Sequence, residues 1–187
     1  EIHTKEILYL RDKLNAIFPY DTSKSSSDLI CQSYSKTFQL KVGIIRSANI
    51  FGPYDLNFKR IVPETIVSIL KSKKLIIRSS GKQKRDYIYV EDVSRAYFKL
   101  YQRLLNKNDF LKIYNIGSKY NLNTLEIIKK IYKIMKKKSN FQIKNYSKSE
   151  INNQRLNYTR IKNELNWKPI YGLEESLKKT VLWYKKN

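Results

Sequence analysis

The chain has 187 residues, 41% of them hydrophobic and 29% charged, which is typical of one globular domain or of a domain with a small appendage. No window approaches the roughly 18 uninterrupted apolar residues of a membrane span, and the charged first residues show no secretory signal pattern. A single cysteine, Cys31, and a single histidine, His3, exclude an internal disulfide and argue against a Cys/His-cluster metal site, so we expect no metal and a reducing, cytoplasmic location.

The charge of the chain is its most unusual property. Lys plus Arg number 38 against 16 Asp plus Glu, a formal net charge of +22, which indicates a nucleic acid or another anionic partner. A/T-rich codon usage gives a different explanation, because 29 of the 38 basic residues are Lys, whereas phosphate and base recognition favours Arg. We favour the codon explanation. The alternative from another functional class is a nucleic-acid-binding module, whose affinity for nucleic acid would fall steeply with salt.

The hydrophobic periodicity predicts alternating helices and strands. In chain order we predict a helix over 20–38, a strand over 41–46, a loop over 47–60, a helix over 63–72, a strand over 74–79, an extended segment over 87–90, a helix over 91–105, a strand over 113–116, a helix over 124–137, a strand over 141–146, and short helices over 159–165 and 173–185. Asn123-Thr124 can cap the helix over 124–137, which carries Glu126 in its first turn. This alternation predicts an α/β fold.

Tyrosine and lysine four residues apart on a helix share one face. An ammonium beside a tyrosine hydroxyl favours the phenolate, which makes the tyrosine usable as a general acid or base near neutrality. The spacing alone selects no pair, since it occurs four times in this chain: Tyr9/Lys13, Tyr20/Lys24, Tyr132/Lys136 and Tyr158/Lys162.

Five stretches in order provide the context that selects one pair. They are PYDTSKSSSDLI at 19–30, RSANIFGPYDLNFKRIVPETI at 46–66, RDYIYVEDV at 85–93, YNIG at 114–117 and LNWKPIYGLEESLKKTVLWY at 165–184. Together they resemble the extended short-chain dehydrogenase/reductase family, the NAD-dependent nucleotide-sugar epimerases and dehydratases. Within that family, DLNFKRIVP and GLEESLKKTVLWY look most similar to 4,6-dehydratases of the CDP-glucose type, with a 4-epimerase as the alternative.

The resemblance implies a set of functional residues. Tyr20 would exchange a proton with a sugar hydroxyl, and Lys24 would bind the nicotinamide ribose and tune Tyr20, so NAD is the implied cofactor. For the nucleotide-sugar substrate it implies contacts from Asn49, Arg60, Ile61, Val62, Arg85, Asn115 and Arg155. It also implies a homodimer through the helix that carries Tyr20 and Lys24.

Structural explanations compete with functional ones at several positions. Asn49 is also a turn-former before Gly52-Pro53. We expect the acidic residues of the RDYIYVEDV stretch to cap and start a helix, and the tyrosine stripe to serve packing. These residues are Asp86, Glu91 and Asp92, and Tyr87, Tyr89, Tyr97 and Tyr101. Cys31, inside a predicted helix, is expected in the core.

The sequence departs from the family pattern at its beginning. The family opens with a strand, a Gly-rich turn and a helix that bind the dinucleotide pyrophosphate, whereas the five glycines here lie far apart. The family's catalytic Ser or Thr would fall just before position 1, and Thr4 is too close to Tyr20 to match. We therefore expect the C-terminal part of a longer enzyme, inactive alone, or a non-catalytic partner subunit.

The expected architecture follows from this. Residues 1–55 would complete a Rossmann-type doubly wound NAD-binding sheet, and residues 56–187 would mainly form a small α/β substrate-binding domain interleaved with late strands of that sheet.

Overall fold

The computed structural model describes residues 19–106, 109–146 and 151–187. Its elements, in chain order, are α1 (Pro19–Phe38), β1 (Val42–Ser47), β2 (Asn49–Phe51), α2 (Ile61–Leu70), β3 (Leu75–Ile77), β4 (Lys84–Tyr89), α3 (Val90–Asn106), β5 (Leu111–Ile116), β6 (Asn121–Asn123), α4 (Thr124–Ile134), β7 (Phe141–Ile143), β8 (Asn153–Gln154), α5 (Thr159–Leu165) and α6 (Leu173–Lys186). None of the helices that the structure describes combines the length and apolar character needed for a bilayer span.

Parallel strand pairs connected by helices confirm the predicted α/β class. β1 pairs in parallel with β5, in a register that aligns Val42 with Leu111 and Ser47 with Ile116. The crossover between these strands includes α3, which packs on β1. Gly43 allows this close approach, because a Cβ there would lie 2.7 Å from Leu100 Cδ2.

Two further sheets build the rest of the molecule. β4 pairs in parallel with β2 and β8 and antiparallel with β6. β3 pairs in parallel with β7. α2, which precedes β3, packs on that strand and also packs against α4, the helix that precedes β7.

The buried residues form two hydrophobic cores. The larger core joins α2, α4 and α6 to β3 and β4, with Ile66, Ile131 and Leu177 fully buried. The smaller core joins β5, α3 and α5 around Trp167, with Ile45, Ala48 and Ile50 packed against it. The segment 42–51 is therefore covered by residues far along the chain.

Several sequence predictions are wrong in detail. The predicted loop 47–60 contains β2, and the short strands β6 and β8 were not predicted. Cys31 is exposed rather than part of the core. Among the tyrosines, Tyr87 and Tyr89 are buried as expected, whereas Tyr97 and Tyr101 are more than half exposed.

The N-terminus of α4 confirms its predicted cap. Asn123 Oδ1 accepts from Glu126 N at 2.8 Å, and Glu126 Oε2 accepts from Asn123 N at 2.7 Å, which completes a capping box. We expect Asn123→Ala to lower the free energy of unfolding by about 1 kcal/mol. Chemical denaturation measures the loss. Asn140→Ala, at an exposed position outside the helices, is the control, and an equal loss in both variants would contradict the role of the cap.

Candidate functional site

The Tyr20/Lys24 pair lies in the first two turns of α1, which begins at Pro19. Lys24 Nζ lies 5.6 Å from the centroid of the Tyr20 ring, and Tyr20 is 68% exposed. The two functional groups therefore share one open face of the helix, where an ammonium and a phenol can act on the same ligand.

The two other described pairs with this spacing do not present such a face. The buried Tyr132 donates its hydroxyl to Asn140 O at 2.9 Å, and Lys136 follows the end of α4 with a left-handed φ of 53°. Tyr158 precedes α5 and packs edge-on against Trp167. Tyr9/Lys13 and Thr4 lie outside the described residues.

An ion pair that sequence reasoning missed fixes α1 on the sheet. Arg46 of β1 donates from Nε to Asp28 Oδ2 at 2.8 Å and from Nη2 to Asp28 Oδ1 at 3.1 Å. Burial raises the pKa of Asp28, but hydrogen bonds from Arg46 and Gln32 keep this pKa below its ordinary value. Asp28 lies one turn after Lys24 on the same helix, but helical spacing gives no signal for a partner on another element such as Arg46. The bidentate pair orients the helix that carries Tyr20 and Lys24.

Asn49 lies just after β1, and Asn115 lies near the end of β5. Both residues are therefore at the carboxyl end of the parallel strands of the first sheet. Ala48 N donates to Ile116 O at 3.0 Å just beyond β1, and Asn49 begins β2 opposite Tyr87. Asn49 is exposed and Asn115 is buried, at 4% exposed. Carboxyl ends of parallel strands are the usual ligand edge of such sheets.

Arg85 and Arg155 are brought together in the second sheet. The register of β4 and β8 aligns Arg85 with Gln154, the residue before Arg155. Arg85 Nη1 donates to Ile151 O at 2.5 Å and to Lys84 O at 2.9 Å, which links the guanidinium to the segment that leads into β8. Arg155 directly follows β8, so the backbone at Arg155 lies near that at Arg85.

Arg60, Ile61 and Val62 lie at the start of α2. Arg60 is the residue before the helix and forms an ion pair with Asp55 at 3.3 Å. Ile61 is partly buried and Val62 is buried, so only part of the predicted pocket lining is open. Tyr184 donates its hydroxyl to Asp55 O, which anchors this loop to α6.

The acidic residues of the RDYIYVEDV stretch divide between two roles. Glu91 and Asp92 lie in the first turn of α3, as predicted. Asp86 lies on β4 rather than at a helix cap, so this prediction is wrong. Burial raises the pKa of Asp86 to about 6, although hydrogen bonds from Ser118 and Leu156 and the charge of Arg155 oppose the rise.

The raised pKa of Asp86 predicts a pH dependence of stability. Between its ordinary value of 3.8 and about 6, the folded state keeps a proton that the unfolded state has lost, so Asp86 destabilises the fold progressively as pH rises through this window. We expect wild type to gain about 2 kcal/mol relative to Asp86→Asn between pH 7 and pH 4. Urea denaturation of both proteins across that range measures the difference. A constant difference would contradict the expectation.

The described residues fit the nicotinamide ribose of NAD but not its pyrophosphate. Tyr20 and Lys24 are open to a nicotinamide ribose, as the resemblance implies. Four of the five glycines instead lie against side chains, so that a Cβ at each would approach a neighbouring atom to less than 3.0 Å: Gly43, Gly52, Gly81 and Gly117. These glycines serve packing, and none forms the Gly-rich turn that binds a dinucleotide pyrophosphate.

Comparison with known proteins identifies the family and the fold of this chain. The profile of the NAD dependent epimerase/dehydratase family matches residues 3–117. A dTDP-D-glucose 4,6-dehydratase from Dictyostelium discoideum is 31% identical over 209 residues, which cover 93% of this chain and 47% of that protein. The chain thus spans about half the length of this curated relative.

Two solved structures show the likeness in three dimensions. A dTDP-glucose 4,6-dehydratase from Bacillus anthracis, in complex with NAD, has a TM-score of 0.86 and 29% identity, covering 99% of this chain and 57% of that one. A UDP-glucose 4-epimerase from Thermotoga maritima, with UDP-glucose, has a TM-score of 0.88 and 26% identity, covering 100% of this chain and 60% of that one. The fold is therefore that of the Rossmann-type sugar-nucleotide enzymes.

Proposed function

The chain belongs to the NAD-dependent epimerase/dehydratase family, and from this premise we propose that it contributes the acid–base pair and the substrate-binding part of a nucleotide-sugar 4,6-dehydratase. The proposed substrate is glucose linked to a pyrimidine nucleoside diphosphate. The sequence favours CDP, and the relatives are named for dTDP or UDP. The observation that carries the proposal is the open Tyr20/Lys24 pair on α1 in a chain of this fold.

Tyr20 and Lys24 have the proposed catalytic roles. Tyr20 accepts the proton of the sugar C4 hydroxyl as that carbon is oxidised, and later returns a proton. Lys24 binds the cofactor ribose, and its ammonium stabilises the Tyr20 phenolate. NAD, when bound, supplies the hydride acceptor. The Asp28–Arg46 pair keeps both side chains in place.

The substrate diphosphate has a proposed site on the second sheet. Arg85 on β4 and Arg155 directly after β8 neutralise its charge. Asn49 and Asn115 contribute from the ligand edge of the first sheet, and Arg60 from the start of α2 with its neighbours Ile61 and Val62. We also propose that residues 1–55 form the cofactor-binding part and that residues 56–187 form the mainly substrate-binding part.

A 4-epimerase of the same family is the second candidate, favoured by the likeness to the Thermotoga maritima enzyme. Both reactions begin with oxidation at C4. The dehydratase then removes water across C5 and C6 and returns the hydride to C6, whereas the epimerase returns the hydride to the other face of C4. The products differ by the mass of one water.

The test incubates NAD and the enzyme that contains this sequence with CDP-glucose, dTDP-glucose or UDP-glucose. GDP-mannose is the purine control. We expect loss of one water from at least one pyrimidine substrate, detected by mass spectrometry. Inversion at C4 without loss of water, seen by NMR, would favour the epimerase. The 187-residue chain by itself is expected to be inactive, because its sequence contains no Gly-rich pyrophosphate turn.

A homodimer through α1 is part of the proposal. This helix exposes large apolar side chains on its surface, namely Leu29, Ile30, Tyr34 and Phe38. Sedimentation analysis of wild type and Tyr34→Glu tests it, and a monomeric wild type would contradict it. The cytoplasmic location expected from the sequence also remains part of the proposal.

A further inference from the structure

One buried carboxylate connects three separate segments of the chain. Asp86 Oδ1, on β4, accepts from Ser118 N and from Ser118 Oγ, both at 2.8 Å. Asp86 Oδ2 accepts from Leu156 N at 3.4 Å. The carboxylate therefore joins β4 to the loop between β5 and β6 and to the segment that follows β8.

The packing around this carboxylate is tight. Asp86 is 2% exposed. Gly117 lies so close that a Cβ there would be 2.3 Å from Asp86 Oδ2 and 3.0 Å from Leu156 O. Ser118 Oγ also accepts from Tyr120 N at 2.9 Å, so the hydroxyl that donates to Asp86 is itself fixed by the loop. Asp86 is thus closed off from any substrate and can act only through its neighbours.

The three segments that meet at Asp86 contain the proposed diphosphate contacts. Arg85 precedes Asp86 on β4, Asn115 is the last but one residue of β5 and lies three residues before Ser118, and Arg155 precedes Leu156. Each of the three segments that meet at the carboxylate therefore contains one residue of the proposed substrate site. Keeping a charged carboxylate in the interior is costly, and a purely apolar side chain would avoid that cost.

We propose that Asp86 is the positioning residue of the diphosphate site: its carboxylate sets the relative placement of Arg85, Asn115 and Arg155. The inference rests on the proposed function, because it names how the substrate site of that function is organised. It assigns Asp86 no contact with the substrate and no proton transfer.

Asp86→Asn retains the hydrogen bonds with Ser118 and removes the one with Leu156. The Asn oxygen can still accept from Ser118, whereas its amide nitrogen faces Leu156 N–H and offers no acceptor. The segment with Arg155 should then lose its fixed place. We expect the Kd for UDP, dTDP or CDP, measured by titration calorimetry, to rise about 10- to 100-fold, while the weaker affinity for the nucleoside without phosphates stays unchanged. Near-UV circular dichroism verifies that the variant is folded.

A double-mutant cycle with Arg155→Ala distinguishes positioning from general destabilisation. If Asp86 acts through Arg155, the two changes together weaken binding little more than Arg155→Ala alone. Asp92→Asn is the matched control, since Asp92 is equally buried and accepts from Ile170 N and Tyr171 N. It should lower stability without changing the Kd for the diphosphate.

The outcomes are separable. Wild-type affinity in folded Asp86→Asn, or additive effects in the cycle, would overturn the inference while leaving the substrate site intact. A wild-type protein that binds none of the three pyrimidine diphosphates would overturn the proposed function and the inference with it. Weakened binding in Arg85→Ala and Arg155→Ala, but not in Asp86→Asn, would refute the positioning role of Asp86 and leave the proposed function standing.

Discussion

Replacing Tyr20 by Phe is expected to lower kcat of the proposed dehydratase by about 10²- to 10⁴-fold, the usual contribution of a positioned general acid or base. The change removes one hydroxyl and retains the ring beside Lys24 Nζ. Because Tyr20 is 68% exposed, the fold should lose little stability. Steady-state turnover of the preferred pyrimidine nucleotide sugar by the enzyme containing this sequence, with NAD present, measures the effect.

Tyr158→Phe is the matched control for this prediction. Tyr158 and Lys162 have the same spacing in the sequence, but Tyr158 packs against Trp167 beside α5 rather than on an open helix face. Its replacement should leave kcat within about twofold of wild type, since no proposed step uses it. Equal losses in the two variants would argue that general perturbation, not proton transfer, explains the effect. An unchanged kcat in Tyr20→Phe would refute the catalytic role.

Trp167→Ala is expected to cost about 3–5 kcal/mol of unfolding free energy, the range for removing a large buried aromatic side chain. Trp167 is fully buried in the smaller core. Its Nε1 donates to Asp92 O at 3.1 Å, which ties the segment after α5 to the start of α3. The substitution thus leaves a cavity between elements that are far apart in sequence and removes the hydrogen bond to Asp92 O. Equilibrium denaturation by urea measures the loss.

Trp183→Ala tests whether burial accounts for that cost. Trp183 is the only other tryptophan of the chain. It is partly exposed and packs between Tyr54 and Tyr184, with ring centroids 5.0 and 4.9 Å away. We expect its replacement to cost less than half as much, because less apolar surface leaves water when the protein folds. Equal costs would show that the smaller core is less important than its packing indicates.

The buried carboxylates show why stability and binding need separate measurements in this protein. Asp86 and Asp92 are both interior acids that accept backbone N–H groups from distant segments. Only Asp86 lies at the meeting point of the segments with the proposed diphosphate contacts. A variant of either residue can therefore lower stability, and only the affinity for a diphosphate distinguishes them.

Local sequence determined the features that depend on short-range interactions. The helix over 159–165 was predicted to the residue, and a cap at Asn123-Thr124 with Glu126 in the first turn was predicted, because capping and helical periodicity join residues three or four apart. The α/β class also followed from the alternation of these elements. The family followed from five short stretches in order.

Only the tertiary structure decided the features that depend on distant residues. Strands β2, β6 and β8 have two or three residues each, too few for a periodic signal, and they exist because β4 supplies their partners. The exposure of Cys31 and Tyr97 could not be deduced, since composition does not say which face of a helix a neighbour covers. The chain contains four Tyr/Lys spacings, and the fold showed that Tyr20/Lys24 presents an open helix face. The connection from Asp86 to Ser118 and Leu156 spans 32 and 70 residues, and contacts over such separations form through chain topology, which local patterns do not encode.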